Sequence, residues 1–290
     1  FFLVFSACLN VGLDLFFIVV LKMGVAGAAW ATNLSQAISA LLCIVYIYCK
    51  VPALVPEKKH WRLTAGDTRY QMQMGIPMAL QFAITSSGTM IMQSAINLFG
   101  SEAVAAYTAA CKVHSLLTQG MVAMGQTMAV YSGQNYGKGD AKRIRDGVKA
   151  ALLIDVIYSV VSAVLVSLLL GVTLGLFFSG DVDLTVMMPW ARTYITICTL
   201  FYIPLSTIFI FRNTMQGCGY GFLPMMGGVV ELVARLSVAM IAMRVHSYAL
   251  SCFCDPAAWL SAGLFTGVSY LFVMKKIRAS LEPKSVTVQP

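Results

Sequence analysis

FFLVFSACLNVGLDLFFIVVLKMGVAGAAWATNLSQAISALLCIVYIYCK, Phe1–Lys50, holds two long apolar runs separated by Lys22 and Met23. A bilayer core takes about 20 apolar residues per crossing helix. Each run meets that length, and a break of a few residues suffices to turn one helix back along another. The stretch reads as two antiparallel membrane helices. Inside them sit a carboxylate, an amide and a hydroxyl: Asp14, Asn10 and Thr32. Such groups are costly in lipid and face a bundle interior or a watery cavity.

The same pattern continues along the chain. About eight apolar runs are readable, covering roughly 1–21, 25–48, 75–99, 103–131, 148–178, 187–211, 217–243 and 257–274. Of the 290 residues, 59% are hydrophobic and 11% charged, against roughly a quarter charged in soluble domains. The reading is an all-α, polytopic membrane protein. Phe1 opens directly into an apolar run, with no initiator Met, basic n-region or cleavage site. It is not a signal peptide, and the chain reads as part of a longer one.

The net charge is +8, but its distribution points to lipid and not to nucleic acid. Lys50, Lys58, Lys59, Arg62, Arg69, Lys138, Lys142, Arg143, Arg145, Lys149, Arg212, Lys275, Lys276, Arg278 and Lys284 fall in one set of connections. The alternate set holds Lys22 and Arg244. The positive-inside rule puts the first set, and the C-terminus, in the cytoplasm. Trp190 and Trp259 then fall near the outer interface, and Asp183 and Asp255 in outer loops. The expected partners are the lipid bilayer and a small-molecule substrate, with no nucleic acid, for a chain acting as a monomer.

Four segments follow: residues 1–50, two helices closing a first bundle; 51–74, a cytoplasmic linker; 75–274, a six-helix bundle; and 275–290, a cytoplasmic tail. The linker carries Trp61 among basic residues and reads as a tether, with an interfacial amphipathic stretch as the alternative. A weak repeat supports the division. Asn10-x-x-x-Asp14 followed by Ala28-Ala29-Trp30 parallels Glu231-x-x-x-Arg235 followed by Ala257-Ala258-Trp259.

Asn10 and Asp14 are four apart and share a helix face. Asp14 lies about eight residues before the turn and Thr32 about nine after it, so both sit about 12–14 Å from it. Three hard oxygen donors at one depth suit Na+ or a proton. An interhelical hydrogen-bond cluster is the alternative. Glu231 and Arg235 can pair at i,i+4, as a structural pair or a cavity lining, and Lys112 and Gln81 are further candidates for such a cavity. His114 reads as a satisfied neutral side chain. Asp155, early in its run, reads as wet. The cysteines, most of them within apolar runs, read as small hydrophobes. Gly133–Asp140 is a connecting loop without the Gly-Lys-Ser/Thr ending of a phosphate loop. No catalytic triad, zinc motif or dinucleotide fingerprint is present, so neither an enzyme nor an ATP-driven pump is indicated.

Three stretches resemble the multidrug and toxic compound extrusion (MATE) transporter family. CLNVGLDLFFIVVLKMGVAGAAWATNLSQ, Cys8–Gln36, resembles its fifth and sixth helices. GIPMALQ, Gly75–Gln81, resembles the start of its seventh. SGQNYGKGDAKR, Ser132–Arg143, resembles the loop between its eighth and ninth. The resemblance implies a two-lobe bundle of twelve helices, of which about eight are here. It implies efflux of amphipathic or cationic drugs or metabolites by antiport with Na+ or H+ and no other cofactor, in a bacterial-type plasma membrane. A lipid-linked precursor flippase of the related superfamily is the alternative. Asn10, Asp14 and Thr32 match the family's N-terminal-lobe cation site. The acid that some members carry shortly after the Gly-x-Pro is absent at QFAITSSGTM, and 187–212 holds no carboxylate. The cation site is therefore expected in the N-terminal lobe alone.

Overall fold

The structure, a computed structural model, describes residues 2–57, 62, 64–175 and 184–281. Helices dominate because lipid leaves every backbone N–H and C=O to be satisfied within the chain. They are α1 (Phe2–Asp14), α2 (Gly24–Lys50), α3 (Ala65–Ile96), α4 (Ser101–Gly137), α5 (Ala141–Gly175), α6 (Leu184–Thr199), α7 (Tyr202–Gly217), α8 (Phe222–Val245), α9 (Tyr248–Cys252) and α10 (Cys254–Leu281). A π-helical segment, Leu15–Val20, extends α1. The chain divides into two compact units, with the boundary inside α3 between Thr68 and Arg69.

Among the described residues five stretches are long and apolar enough to cross a membrane: α1 with its π segment, α2, α5, α8, and α9 with α10. The bent pair α6–α7 makes a sixth. The eight-run reading was more generous. α3 and α4 have the length, but polar residues such as Gln81, Thr85 and Ser86, or Lys112, His114 and Gln119, dilute them. Residues 176–178, ending the 148–178 run, lie outside the described residues.

Two prolines explain two further differences. The run read as 187–211 is broken between Thr199 and Tyr202, with a bend of 51°. Pro204 lacks an N–H and its ring crowds the carbonyl four residues back, at Leu200, where the helix breaks. Pro256 does the same toward Cys252, and α9 ends there. The last crossing accordingly starts at Tyr248 rather than near 257. The connection read at Gly133–Asp140 is mostly helix, since α4 continues to Gly137 and only Lys138–Asp140 turn the chain.

In the first unit, α1 and α2 form a hairpin turned at Leu21–Met23. Lys22 there adopts φ 53° and Gly24 φ 57°. The trace is tight at Gly27, where a Cβ would lie 3.1 Å from both Met23 and Phe17. In the second unit, α4 lies against α5, α6 and α7, while α10 lies against α7 and α8. A Cβ on Gly217 of α7 would run into the Ala129 backbone of α4, so only glycine permits that approach. The core around α4 is aromatic. His114 stacks on Trp259 at 5.6 Å, and its Nδ1 is 3.0 Å from the Tyr202 hydroxyl. His114 is thus satisfied, and Trp259 is buried in the core. The Trp61 stretch, Lys58, Lys59, Asp183 and Lys284 lie outside the described residues.

Candidate functional site

The α1–α2 hairpin is laced by a ladder of polar contacts one turn apart. Ser39 Oγ donates to the Phe2 carbonyl at 3.1 Å, and Ser6 Oγ to the Ser35 carbonyl at 3.2 Å. Asn10 Nδ2 donates to Thr32 Oγ1 at 3.4 Å. The steps on α1 are Phe2, Ser6 and Asn10, so the next residue on that face is Asp14. Its rung is different. Asp14 Oδ1 is shielded from solvent and has no hydrogen-bond partner among the described residues.

Asp14 is also where α1 changes from α-helix to π-helix. Such π segments concentrate at functional sites, since they re-aim side chains at the cost of poorer backbone geometry. Thr32 Oγ1 donates to the Ala28 carbonyl at 3.0 Å while accepting from Asn10. With Nδ2 so engaged, the Asn10 carbonyl oxygen remains an acceptor. The structure therefore brings Asn10 and Thr32 together and places Asp14 one turn along the same face. The donors are one carboxylate and two neutral oxygens, a set for a hard monovalent cation or a proton.

The second unit holds a buried charge chain that the sequence exposes only at its centre. Glu231 Oε1 accepts from Arg235 Nη2 at 3.1 Å, the expected i,i+4 pair. Glu231 Oε2 accepts from Arg212 Nη2 at 3.2 Å. Arg235 Nε donates to Asp255 Oδ1 at 3.0 Å. Two cations and two anions cancel, which makes their burial tolerable. Arg212 and Asp255 correct the sequence reading. Neither lies in an aqueous connection: both are members of this network, Arg212 on α7 and Asp255 on the part of the last crossing that the reading left in a loop. Cys252 and Cys254, beside Asp255, are buried too. Pro256 was the signal for the longer crossing. For Arg212, the signal was its place inside an otherwise apolar helix.

Helix α3 presents Gln81, Thr85 and Gly88 at i, i+4 and i+7, one face. Gln81 Oε1 accepts from Gln216 Nε2 at 2.8 Å, so Gln81 is a buried interhelical contact. Gly88 abuts Arg235. Thr85 Oγ1 and Arg235 Nη1 are buried without partners, leaving the α3–α8 contact polar and incompletely satisfied. Lys112 is exposed on α4.

The MatE family profile matches residues 77–241, more than half of the chain. The chain belongs to the MatE family. It is 33% identical over 145 residues to the probable multidrug resistance protein YpnP of Bacillus subtilis, covering 49% of this chain and 32% of that protein. It is 25% identical over 218 residues to the multidrug export protein MepA of Staphylococcus haemolyticus, covering 74% and 47%. The chain thus spans about a third to just under half of the length of these curated relatives. Among solved structures, a MATE transporter in complex with MaL6 superimposes with a TM-score of 0.85 at 18% identity, covering 96% of this chain and 63% of that one. An outward-facing MATE transporter of the MOP superfamily gives 0.80 at 18% identity, covering 96% and 62%. These likenesses carry the fold. A MatE chain with several membrane-crossing helices is an integral membrane protein.

Proposed function

We propose that this MatE chain forms part of a transporter that expels amphipathic or cationic compounds in exchange for Na+ or H+ moving inward. Asn10, Asp14 and Thr32 receive the coupling ion. The observation that carries the reading is Asp14 itself. On a ladder whose other rungs are hydrogen-bonded, the one ionisable member is the one left unpartnered. An unpaired carboxylate in a membrane helix is costly and marks an ion or proton path. Relatives named for multidrug resistance and export support the cargo class. The basic connections support a plasma membrane orientation with the C-terminus in the cytoplasm.

Precursor flipping would call for a cationic cavity to hold pyrophosphate. Arg212 and Arg235 are each neutralised by a carboxylate, which argues against that use. The test is efflux from vesicles containing the complete transporter, under imposed sodium or proton gradients with matched expression. Asp14→Asn keeps the shape but removes the charge, and it should abolish gradient-driven efflux. Asn10→Ala and Thr32→Ala should weaken it less. Undiminished efflux by Asp14→Asn would remove the carboxylate from the mechanism.

A further inference from the structure

The sequence left Asp155 as a wet residue at the membrane edge. The structure places it elsewhere. The buried stripe of α5 runs through Val148, Ala151, Asp155, Ser159, Ser162 and Val166. The opposite side, with Leu153, Ile154, Ile157 and Val161, is exposed and forms the lipid face. Asp155 is 2% exposed and Ser159 1%. Asp155 lies six residues inside Lys149, the last basic residue of the helix, or about 9 Å deeper.

Neither polar group is satisfied. Asp155 Oδ2 and Ser159 Oγ both lack a hydrogen-bond partner among the described residues. They are four residues apart, hence neighbours on one face. Among the described residues no counter-ion pairs with Asp155. On α4, the close pairs Gly120–Tyr158 and Gly147–Tyr131 run the helices antiparallel and bring Asp155 level with Ala123. The titratable groups flanking that level on α4 are His114, turned to Tyr202, and Tyr131, whose hydroxyl donates to the Arg143 carbonyl. On α7, Arg212 is held by Glu231. On α6, Tyr194 packs against His114 and Tyr107, and Arg192 is exposed. On α10, Asp255 is held by Arg235, and Tyr270 stacks on Phe211. On α5 itself, Tyr158 donates to the Leu117 carbonyl.

An ionised carboxylate sealed in an apolar stripe without a counter-ion is strongly disfavoured. Its neutral form carries a proton and fits the same space. We propose that Asp155, with Ser159 one turn along the same face, binds and releases a proton, forming a protonation site in the second unit independent of Asp14. When the proton leaves, rotation of the Ser159 hydroxyl supplies a donor to the carboxylate. The site lies near the basic, proposed cytoplasmic, end of α5, so its proton exchanges with that side.

The test uses the purified protein in liposomes and N,N′-dicyclohexylcarbodiimide, which attacks protonated carboxyls in apolar surroundings. Peptide mass spectrometry reads the modified fraction of Asp155, with exposed Asp146 as the unreactive control. The expected result is modification of Asp155 that falls at least about tenfold from acid to alkaline buffer, as a single titrating group requires. Ser159→Ala should move the midpoint to higher pH, because the carboxylate loses a donor. Asp155→Asn should remove the signal. No modification of Asp155, or modification that does not change with pH, would overturn the proposal. So would protection by sodium at fixed pH, which would make the carboxylate a cation ligand instead.

Discussion

Arg235 Nη1 occupies the space into which a side chain at Gly88 would project. Arg235 cannot simply swing aside, because Glu231 and Asp255 hold its other nitrogens. Gly88→Ala should therefore lower stability by about 1–3 kcal/mol, the usual cost of overpacking. In an Arg235→Lys background the penalty should shrink, since lysine has no Nη1. Thermal unfolding of the four proteins in detergent gives the coupling directly. Equal penalties in both backgrounds would show that Gly88 meets something other than this guanidinium.

Glu231 is the centre of the charge chain and Asp255 its end. Glu231→Gln takes the anion from between Arg212 and Arg235, and stripping one partner from a buried pair costs about 3–5 kcal/mol. Asp255→Asn should cost less, because Arg235 keeps Glu231. The measurement is again the melting transition. A smaller loss for Glu231→Gln than for Asp255→Asn would reverse this assignment of centre and end.

The sequence made the membrane fold legible because hydrophobic run length is a local property, readable without knowing what packs on what. The Asn10–Asp14 face was legible for the same reason: i,i+4 spacing fixes a face once the helix is granted. Glu231 and Arg235 were found by that rule too, but Arg212 and Asp255 lie 19 and 20 residues from their partners. Contacts between different helices carry no spacing signal. Asp155 was misjudged because its nearness to Lys149 said how far it lay from the membrane edge and nothing about which way it faced. The bent pair could have been read from Pro204, whose effect falls four residues upstream.

Orientation can be checked with single cysteines in a background freed of the native ones. Lys22→Cys and Arg244→Cys should react with a membrane-impermeant maleimide from outside, and Lys142→Cys only after the membrane is opened, following the charge asymmetry. All three positions are exposed. Asp255→Cys should stay unlabelled from either side, because it is enclosed by the α8–α10 network. Labelling of Lys22→Cys and Lys142→Cys from one side would break the topology.

Asp14 sets stability against function. A shielded carboxylate oxygen without a partner costs free energy that the ladder around it does not return. Ser6→Ala removes a satisfied rung and should lower stability by about 1 kcal/mol. Asp14→Asn should not lower it at all, and in sodium-free alkaline buffer it should raise the melting temperature. The bound ion changes the comparison. A ligand that binds only the folded protein stabilises it by RT ln(1 + [L]/Kd), about 2.7 kcal/mol at a hundredfold excess over Kd. If sodium is the coupling ion, its addition should raise the melting temperature of the wild type and of Ser6→Ala. It should leave Asp14→Asn unmoved. Asn10→Ala and Thr32→Ala should respond at higher sodium concentrations than the wild type, since each loses one neutral oxygen of the donor set. A sodium shift that survives in Asp14→Asn would place the ion elsewhere. A wild type that ignores sodium would leave the proton as the coupling ion at Asp14, with the efflux measurement under an imposed proton gradient deciding it.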